Sequence, residues 1–218
     1  RVLSYNILEG MKLDTTKQKT VFVDWIKSFD PDIMALQEVN KFKQRQLEDL
    51  ARSYGHPYAV LLKEYGYPVA LTSKYPIVNV DKVIDNMSHG FICAKVGGYN
   101  IIVLHLNPHK HWKRSEEIAL VLETIKQSGD KEKWLLMGDF NSISPLDADG
   151  FADGKLLEAM KAEEAGRPGV VENLVDGKSL DYSIHQAILD RGFVDVAKKK
   201  YPKFESSCET KSFLLTPP

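Results

Sequence analysis

LLMGDFNSIS, residues 135–144, sets an apolar run directly against an aspartate and an asparagine. Leu135, Leu136 and Met137 read as a strand that stops at Gly138, and Asp139 and Asn141 follow two positions apart. On an extended strand, positions i and i+2 leave the same side, so the two polar groups are expected to face one bound group together. The competing reading is a turn, because GDFNS is rich in turn formers and an Asp-x-Asn pair is ordinary turn chemistry. Which reading holds depends on what the rest of the chain brings to the same place.

The chain has 218 residues, 43% hydrophobic and 27% charged, proportions typical of a globular protein in water. A single domain over residues 1–218 is expected, long enough to bury one large core. No apolar stretch approaches the length of a membrane span. The net charge of −1 argues against a strongly basic nucleic-acid binder and leaves a local basic patch open. Cys93 and Cys208 allow at most one disulfide, and Cys93 sits in GFICAKV, where a buried thiol is the simpler reading. The sequence opens at Arg1 without a methionine, so an upstream segment, a signal peptide among the candidates, is expected to have been removed. Localisation stays open between cytoplasmic and secreted or periplasmic, and a monomer is expected.

Eight short runs rich in β-branched and aromatic residues read as strands: RVLSYNI, DIMALQEV, PYAVLLK, YPVALTS, PIVNVDKVI, GFICAKV, NIIVLHL and WLLMGDF. Helix spacing appears in Val21, Phe22, Trp25, Ile26 and Phe29, and again in Ile118, Val121, Leu122 and Ile125. A third helix is predicted in KFKQRQLEDLARSYG, with Asn40 as its N-cap and Gly55 at its end. Strand and helix alternate early, strands alone follow from residue 57 to 106, and then helices return. That order predicts an α/β (α+β) fold in which two sheets pack face to face with helices outside, a four-layered α-β-β-α sandwich. The Gly-rich stretch DADGFADGKLLEAMKAEEAGRPGVVENLVDGKS reads as a rim insertion with one helix.

The polar residues that interrupt apolar runs fall at strand ends: Asn6, Gln37 and Glu38, His105, Asp139 and Asn141. Polar groups are costly to bury unpaired, so the favourable place for them is a rim where strands emerge. Glu38 is a hard oxygen ligand suited to Mg²⁺ or Mn²⁺, cations that take one or two carboxylates and leave other positions to water and phosphate. Asp139 is suited to orient or deprotonate water, Asn6 and Asn141 to donate to a phosphate, and His105 to donate to a phosphoryl oxygen. Together these residues specify metal-assisted attack of water on phosphorus. The bland alternatives are a helix-capping carboxylate for Glu38 and a satisfied core histidine for His105.

SYNI, LQEV, HLNP and GDFN, in this order, resemble the endonuclease/exonuclease/phosphatase superfamily, which includes DNase I-like nucleases, neutral sphingomyelinases and inositol polyphosphate 5-phosphatases. YPVALTSKYPI, with Ser73, Lys74, Pro76 and Ile77, and ILDRGFVDV add to the likeness, which runs from residue 1 to about 197. The resemblance implies a DNase I-like sandwich, with Glu38 as metal ligand and Asn6 setting metal and phosphate. It also implies that Asp139 and Asn141 position the attacking water and the phosphate, and that His105 binds a phosphate oxygen. The expected activity is Mg²⁺-dependent hydrolysis of a phosphoester, a diester rather than a monoester. Nucleic acid and a small-molecule or lipid headgroup are both open as substrate, with the charge balance leaning away from duplex DNA.

The resemblance departs at the C-terminus. Superfamily members close on an Arg-Ile-Asp-Tyr-like strand and a Ser-Asp-His motif, whereas this sequence ends in KSFLLTPP and none of its six histidines follows an aspartate. SLDYSIH superficially resembles the Asp-Tyr strand, but Leu180, Ile184, Ala187 and Ile188 keep helix spacing. About two terminal strands are expected to be missing, which leaves a non-catalytic phosphate- or nucleic-acid-binding module of the same fold as the alternative function. Lys110, Lys113 and Arg114 are candidates to attract substrate phosphates, against a solvated helix start or a structural salt bridge for Arg114. A zinc site on His105 and His109 is disfavoured, since Pro108 breaks any helix that would place both on one face. KKKYPKF, residues 198–204, mixes lysines with aromatic rings as nucleic-acid grooves do, against the simpler reading of a solvated face. DADGFADG is read as a solvated loop, its glycine misplaced for a calcium hand.

Overall fold

A computed structural model of the chain describes residues 1–128 and 133–204. Eight strands form on the apolar runs: β1 (Val2–Asn6), β2 (Ile33–Gln37), β3 (Tyr58–Leu61), β4 (Ala70–Ser73), β5 (Ile77–Val83), β6 (Phe91–Val96), β7 (Tyr99–His105) and β8 (Trp134–Asp139). They make two four-stranded sheets, ordered β1-β2-β4-β3 and β5-β6-β7-β8. Each sheet has one parallel pair, β1 with β2 and β7 with β8, and antiparallel pairing elsewhere. A helix lies in sequence between the members of each parallel pair, as a parallel crossover requires.

The described residues gather into two compact units, residues 1–106 with 128 and 133–139, and residues 107–127 with 140–204. The first holds all eight strands with helices α1 (Thr20–Phe29) and α2 (Gln44–Ser53). Its central strand β2 explains the layering, because all five of its residues are buried and alternate ones serve different cores. Met34 and Leu36 pack with Phe22, Val23 and Ile26 of α1 and with Leu47, Leu50 and Ala51 of α2. Ile33 and Ala35 pack with Leu71 of β4 and with Ile92, Ala94, Ile101 and Val103 of the other sheet. A helix layer thus covers one face of the first sheet, and the second sheet covers the other.

Helix α2 begins later than its sequence predicts. Asn40 does not cap it; Lys41 is left-handed (φ 67°), and the helix starts at Gln44 with the Gln46 side chain accepting from the Lys43 backbone N–H at 2.8 Å. Gln44 fixes that start from outside the helix, since its Oε1 accepts from Leu61 N and its Nε2 donates to Ala59 O, both at 2.8 Å. The side-chain amide thereby completes the edge of β3 as another strand would.

The second unit is helical, with α3 (His111–Ser128), a 3₁₀ segment (Pro145–Phe151), α4 (Lys155–Gly166), α5 (Ser183–Asp190) and α6 (Val196–Lys200). The Gly-rich stretch carries its expected single α-helix as α4. Ile184, Ala187 and Ile188 lie on α5 as their spacing predicts, and Leu180 precedes it. The fold class is therefore α/β, with two mixed sheets and helices, as the sequence implies. Cys93 is half-buried, and Cys208 and KSFLLTPP lie outside the described residues. Among the described residues no helix is long and apolar enough to cross a membrane.

Candidate functional site

In the first unit the strand-end residues converge through one side chain. Asn6 ends β1, Glu38 follows the last residue of β2, and His105 and Asp139 end β7 and β8. Within each parallel pair the carboxyl ends are level, Asn6 opposite Gln37 and His105 opposite Asp139. The Asn6 Nδ2 donates to Glu38 Oε1 and to Asp139 Oδ2, each at 3.0 Å, so one amide joins the two sheets. Its Oδ1 accepts from Leu8 N at 3.0 Å, and the second Glu38 oxygen, Oε2, accepts from Glu9 N at 2.8 Å. His105, buried at 3% exposure, brings Nε2 to 3.9 Å from Asp139 Oδ2.

Two backbone features hold this arrangement. Glu38 lies in the left-handed region (φ 57°), a strained state for a residue with a Cβ, and its carbonyl accepts from Gly10 N at 2.7 Å. The loop around Gly10 therefore grips Glu38 by main chain and side chain together. In β8, Gly138 has φ 150°, and a Cβ there would stand 2.0 Å from the Leu104 carbonyl oxygen of β7. The apolar run of β8 stops at a glycine because the β7 backbone occupies the space of a side chain.

Asn141 belongs to the second unit, and the expectation that it leaves the same side of an extended strand as Asp139 is corrected. Strand β8 ends at Asp139, and Asn141 is left-handed (φ 47°), so the period-two alternation does not reach it. Lys110 and Arg114 are also in the second unit, and both are engaged there. Lys110 Nζ lies 3.3 Å from Glu172 Oε1 and 5.3 Å from the Trp112 ring centre, and Trp112 Nε1 donates to Glu172 Oε2 at 2.7 Å. Arg114 is 2% exposed and donates through Nη1 to Asn107 O at 3.1 Å and Asn173 Oδ1 at 2.7 Å. Burial pulls its guanidinium below the ordinary value, with Asp181 and Glu117 opposing that pull. This is the bonding of a residue that ties loops together.

KKKYPKF is divided in the same way. Lys198 pairs with Asp147, and Phe204 packs edge-on against Phe151 at 5.0 Å, while Tyr201 stays exposed. The DADGFADG stretch begins within the 3₁₀ segment, and His105 and His109 share no helix. In the same unit His185 packs at a tilt against Phe140, ring centres 5.2 Å apart, and its pKa is pushed down by burial against the pull of Asp195 and a Ser142 backbone bond.

Four contributors to the first unit's site escape a reading of the sequence. The Leu8 and Glu9 amides are backbone groups, and only the fold shows where they point. His89 packs at a tilt against His105, ring centres 4.5 Å apart, and Tyr67 lies 5.4 Å from His89. The one available signal was a histidine beside a glycine, in MSHG, ahead of a strand.

The donor set can be tested for a cation. Two carboxylates reach the same Nδ2, so their negative charges stand close together, and a neighbouring cation relieves that repulsion. Glu38, Asp139 and Asn6 offer oxygens of carboxylate or amide, the preference of Mg²⁺. Among the described residues no group of three or more His, Cys, Asp and Glu is placed to hold a metal ion. The residues fit a hard cation that keeps most of its positions for water and substrate.

Comparison with known proteins gives a consistent picture. A family model described as Endonuclease/Exonuclease/phosphatase family matches residues 3–185. The fold is similar to that of an AP endonuclease from Archaeoglobus fulgidus, at 20% identity over 97% of this chain and 79% of that one, TM-score 0.61. It is similar also to the 3′-5′ exonuclease NExo from Neisseria meningitidis, at 19% identity over 93% and 74% of the two chains, TM-score 0.61. A structure of the 3′ phosphatase NExo from Neisseria bound to product DNA hairpin aligns at 19% identity over 70% and 62%, TM-score 0.52. At these identities the likeness is one of fold. Comparison with curated proteins finds no match.

Proposed function

The chain belongs to the endonuclease/exonuclease/phosphatase family, and from that premise we propose that it is a Mg²⁺-dependent phosphodiesterase that cleaves nucleic acid. The observation that carries the reading is the single amide of Asn6 bonded at once to Glu38 and Asp139. Nucleic acid is favoured as the substrate class because the similar solved structures include an AP endonuclease, a 3′-5′ exonuclease and a DNA-bound 3′ phosphatase.

Glu38 and Asn6 would hold the cation, Mn²⁺ being the alternative with the same ligand preference. Glu38 offers carboxylate lone pairs beyond those used by Asn6 and Glu9, and Asn6 Oδ1 keeps a second lone pair beside its bond from Leu8 N. When bound, the cation neutralises charge on the phosphate and polarises the P–O bond. Asp139 Oδ2 is held by Asn6, and its carboxylate orients the attacking water and takes its proton. His105 Nε2–H donates to a phosphoryl oxygen, and its burial keeps bulk water from that donor. Asn141 is assigned a phosphate contact from its motif alone. Lys110 and Arg114 take no part in this reading, since Glu172 and Asn173 already engage them.

The test is hydrolysis by the full-length protein of single-stranded DNA, duplex DNA, RNA, sphingomyelin, inositol phosphates and a chromogenic phosphodiester, with Mg²⁺ and with EDTA. Asp139→Ala is expected to lower kcat by roughly 10²–10⁴ on the cleaved substrate, the usual range for loss of a general base. Unchanged turnover in that variant defeats the reading. Binding of DNA with no cleavage of any substrate favours the non-catalytic binding module instead.

A further inference from the structure

We propose that His89 is a positioning residue for His105. Its ring, packed at a tilt against that of His105, sets the plane in which the His105 nitrogens address Asp139 and a bound phosphate. The proposal rests on the hydrolase reading for its kinetic consequence.

His89 reaches His105 by a local device rather than by strand order. Strands β6 and β7 pair antiparallel with Phe91 opposite Leu104, so residue 90 falls opposite His105 and residue 89 opposite Leu106. Side chains of directly opposed residues share a face and neighbours alternate, so an extended chain would send residue 89 to the face away from His105. Gly90 breaks the alternation with φ 93°. A Cβ at that position would stand 2.6 Å from Val83 O and 2.8 Å from Leu62 Cδ2, so the turn admits no side chain. The turn therefore delivers His89 onto His105, with ring centres 4.5 Å apart and planes 35° apart. Tyr67 also packs against His89, at 5.4 Å and 56°.

The geometry gives this contact a purpose. His105 Nε2 lies 3.9 Å from Asp139 Oδ2, and the His89 ring bounds that same imidazole. An imidazole that donates to a phosphoryl oxygen must hold its plane within a narrow angle, and a misplacement near 1 Å can cost about a hundredfold in rate. A flat neighbour whose ring centre lies 4.5 Å away restricts that rotation, and any aromatic ring of similar size serves.

The experiment compares His89→Ala and His89→Phe in the full-length protein. His89→Ala is expected to lower kcat roughly tenfold with KM unchanged, and His89→Phe to restore kcat to within about threefold of the parent. A merely structural role would lower the melting temperature of both variants and leave the kcat of the folded protein alone. The second measurement needs no turnover: ¹⁵N and ¹H signals of the His105 ring should move in His89→Ala and stay near the parent values in His89→Phe. Parent protein that cleaves nothing on the panel defeats the hydrolase reading, and the ring signals still decide the contact. Unmoved His105 signals in His89→Ala, or equal kcat loss in both variants, overturn the proposal.

Discussion

At the scale of single residues, one fully buried histidine lies outside the candidate site. His56 is fully buried, with Nε2 2.8 Å from Pro31 O and Nδ1 2.8 Å from Thr72 Oγ1, which in turn lies 3.2 Å from the Tyr54 hydroxyl. A carbonyl only accepts, so Nε2 carries the proton, and the neutral ring takes a bond at Nδ1 from Thr72. Burial pushes the imidazole pKa down, against the pull of its backbone bonds and Asp32. The unfolded chain takes up this proton as pH falls through about 6.5, while the folded chain resists until lower pH. The unfolded state then binds more protons, so the stability present above that value is lost as pH falls below it. Urea unfolding of the parent should show stability falling between pH 7.5 and 5.5, with a shallower fall in His56→Gln. His185, also pushed down by burial, leaves a residual slope in that variant. Identical slopes would clear His56. In sequence, His56 is one letter in SYGHPYA, and no pattern marks it. Asn6, Glu38, His105 and Asp139 were legible because a polar residue at the end of an apolar run has few favourable places to go.

At the scale of elements, the strands were legible and the helix start was not, for a physical reason. A strand such as β2 announces itself by its own apolar letters. The start of α2 is decided by Gln44 bonding to β3, a contact 15 to 17 residues away that no local cap signal reveals. The same holds at Asn141, where the end of β8 at Asp139 and a left-handed residue defeat an alternation the letters seemed to continue. Gly138 joins local and distant effects. Adding one methyl there forces the β7 and β8 backbones apart at Leu104, because the nearest atom is a main-chain oxygen that cannot rotate away. Gly138→Ala is therefore expected to destabilise the protein by more than about 3 kcal/mol, beyond an ordinary surface substitution. It should also lower turnover in the fraction that still folds, because Asp139 is the next residue and His105 its partner in register. Chemical denaturation and single-turnover kinetics check the two effects separately; a loss under 1 kcal/mol would mean that the strands absorb the methyl.

At the scale of the whole molecule, each sheet contributes the carboxyl ends of one parallel pair, and Asn6 bonds across from one pair to the other. The convergence sets Glu38 and Asp139 against each other, and folding itself brings these like charges together. A divalent cation that binds the folded chain at that point should stabilise it by mass action. With a dissociation constant of roughly 1 mM, 10 mM Mg²⁺ would add about 1.4 kcal/mol. For a chain of this size that is a rise in melting temperature of about 3–6 °C. Glu38→Gln keeps the shape of the side chain and removes its charge, so its melting temperature should respond little to Mg²⁺. Ionic strength is matched with NaCl, because general screening would act on both proteins and on the surface ion pairs alike. A parent protein indifferent to Mg²⁺, or a Glu38→Gln variant that shifts as far as the parent, would remove the cation from this cluster and leave Asn6 as a purely structural clasp between the sheets.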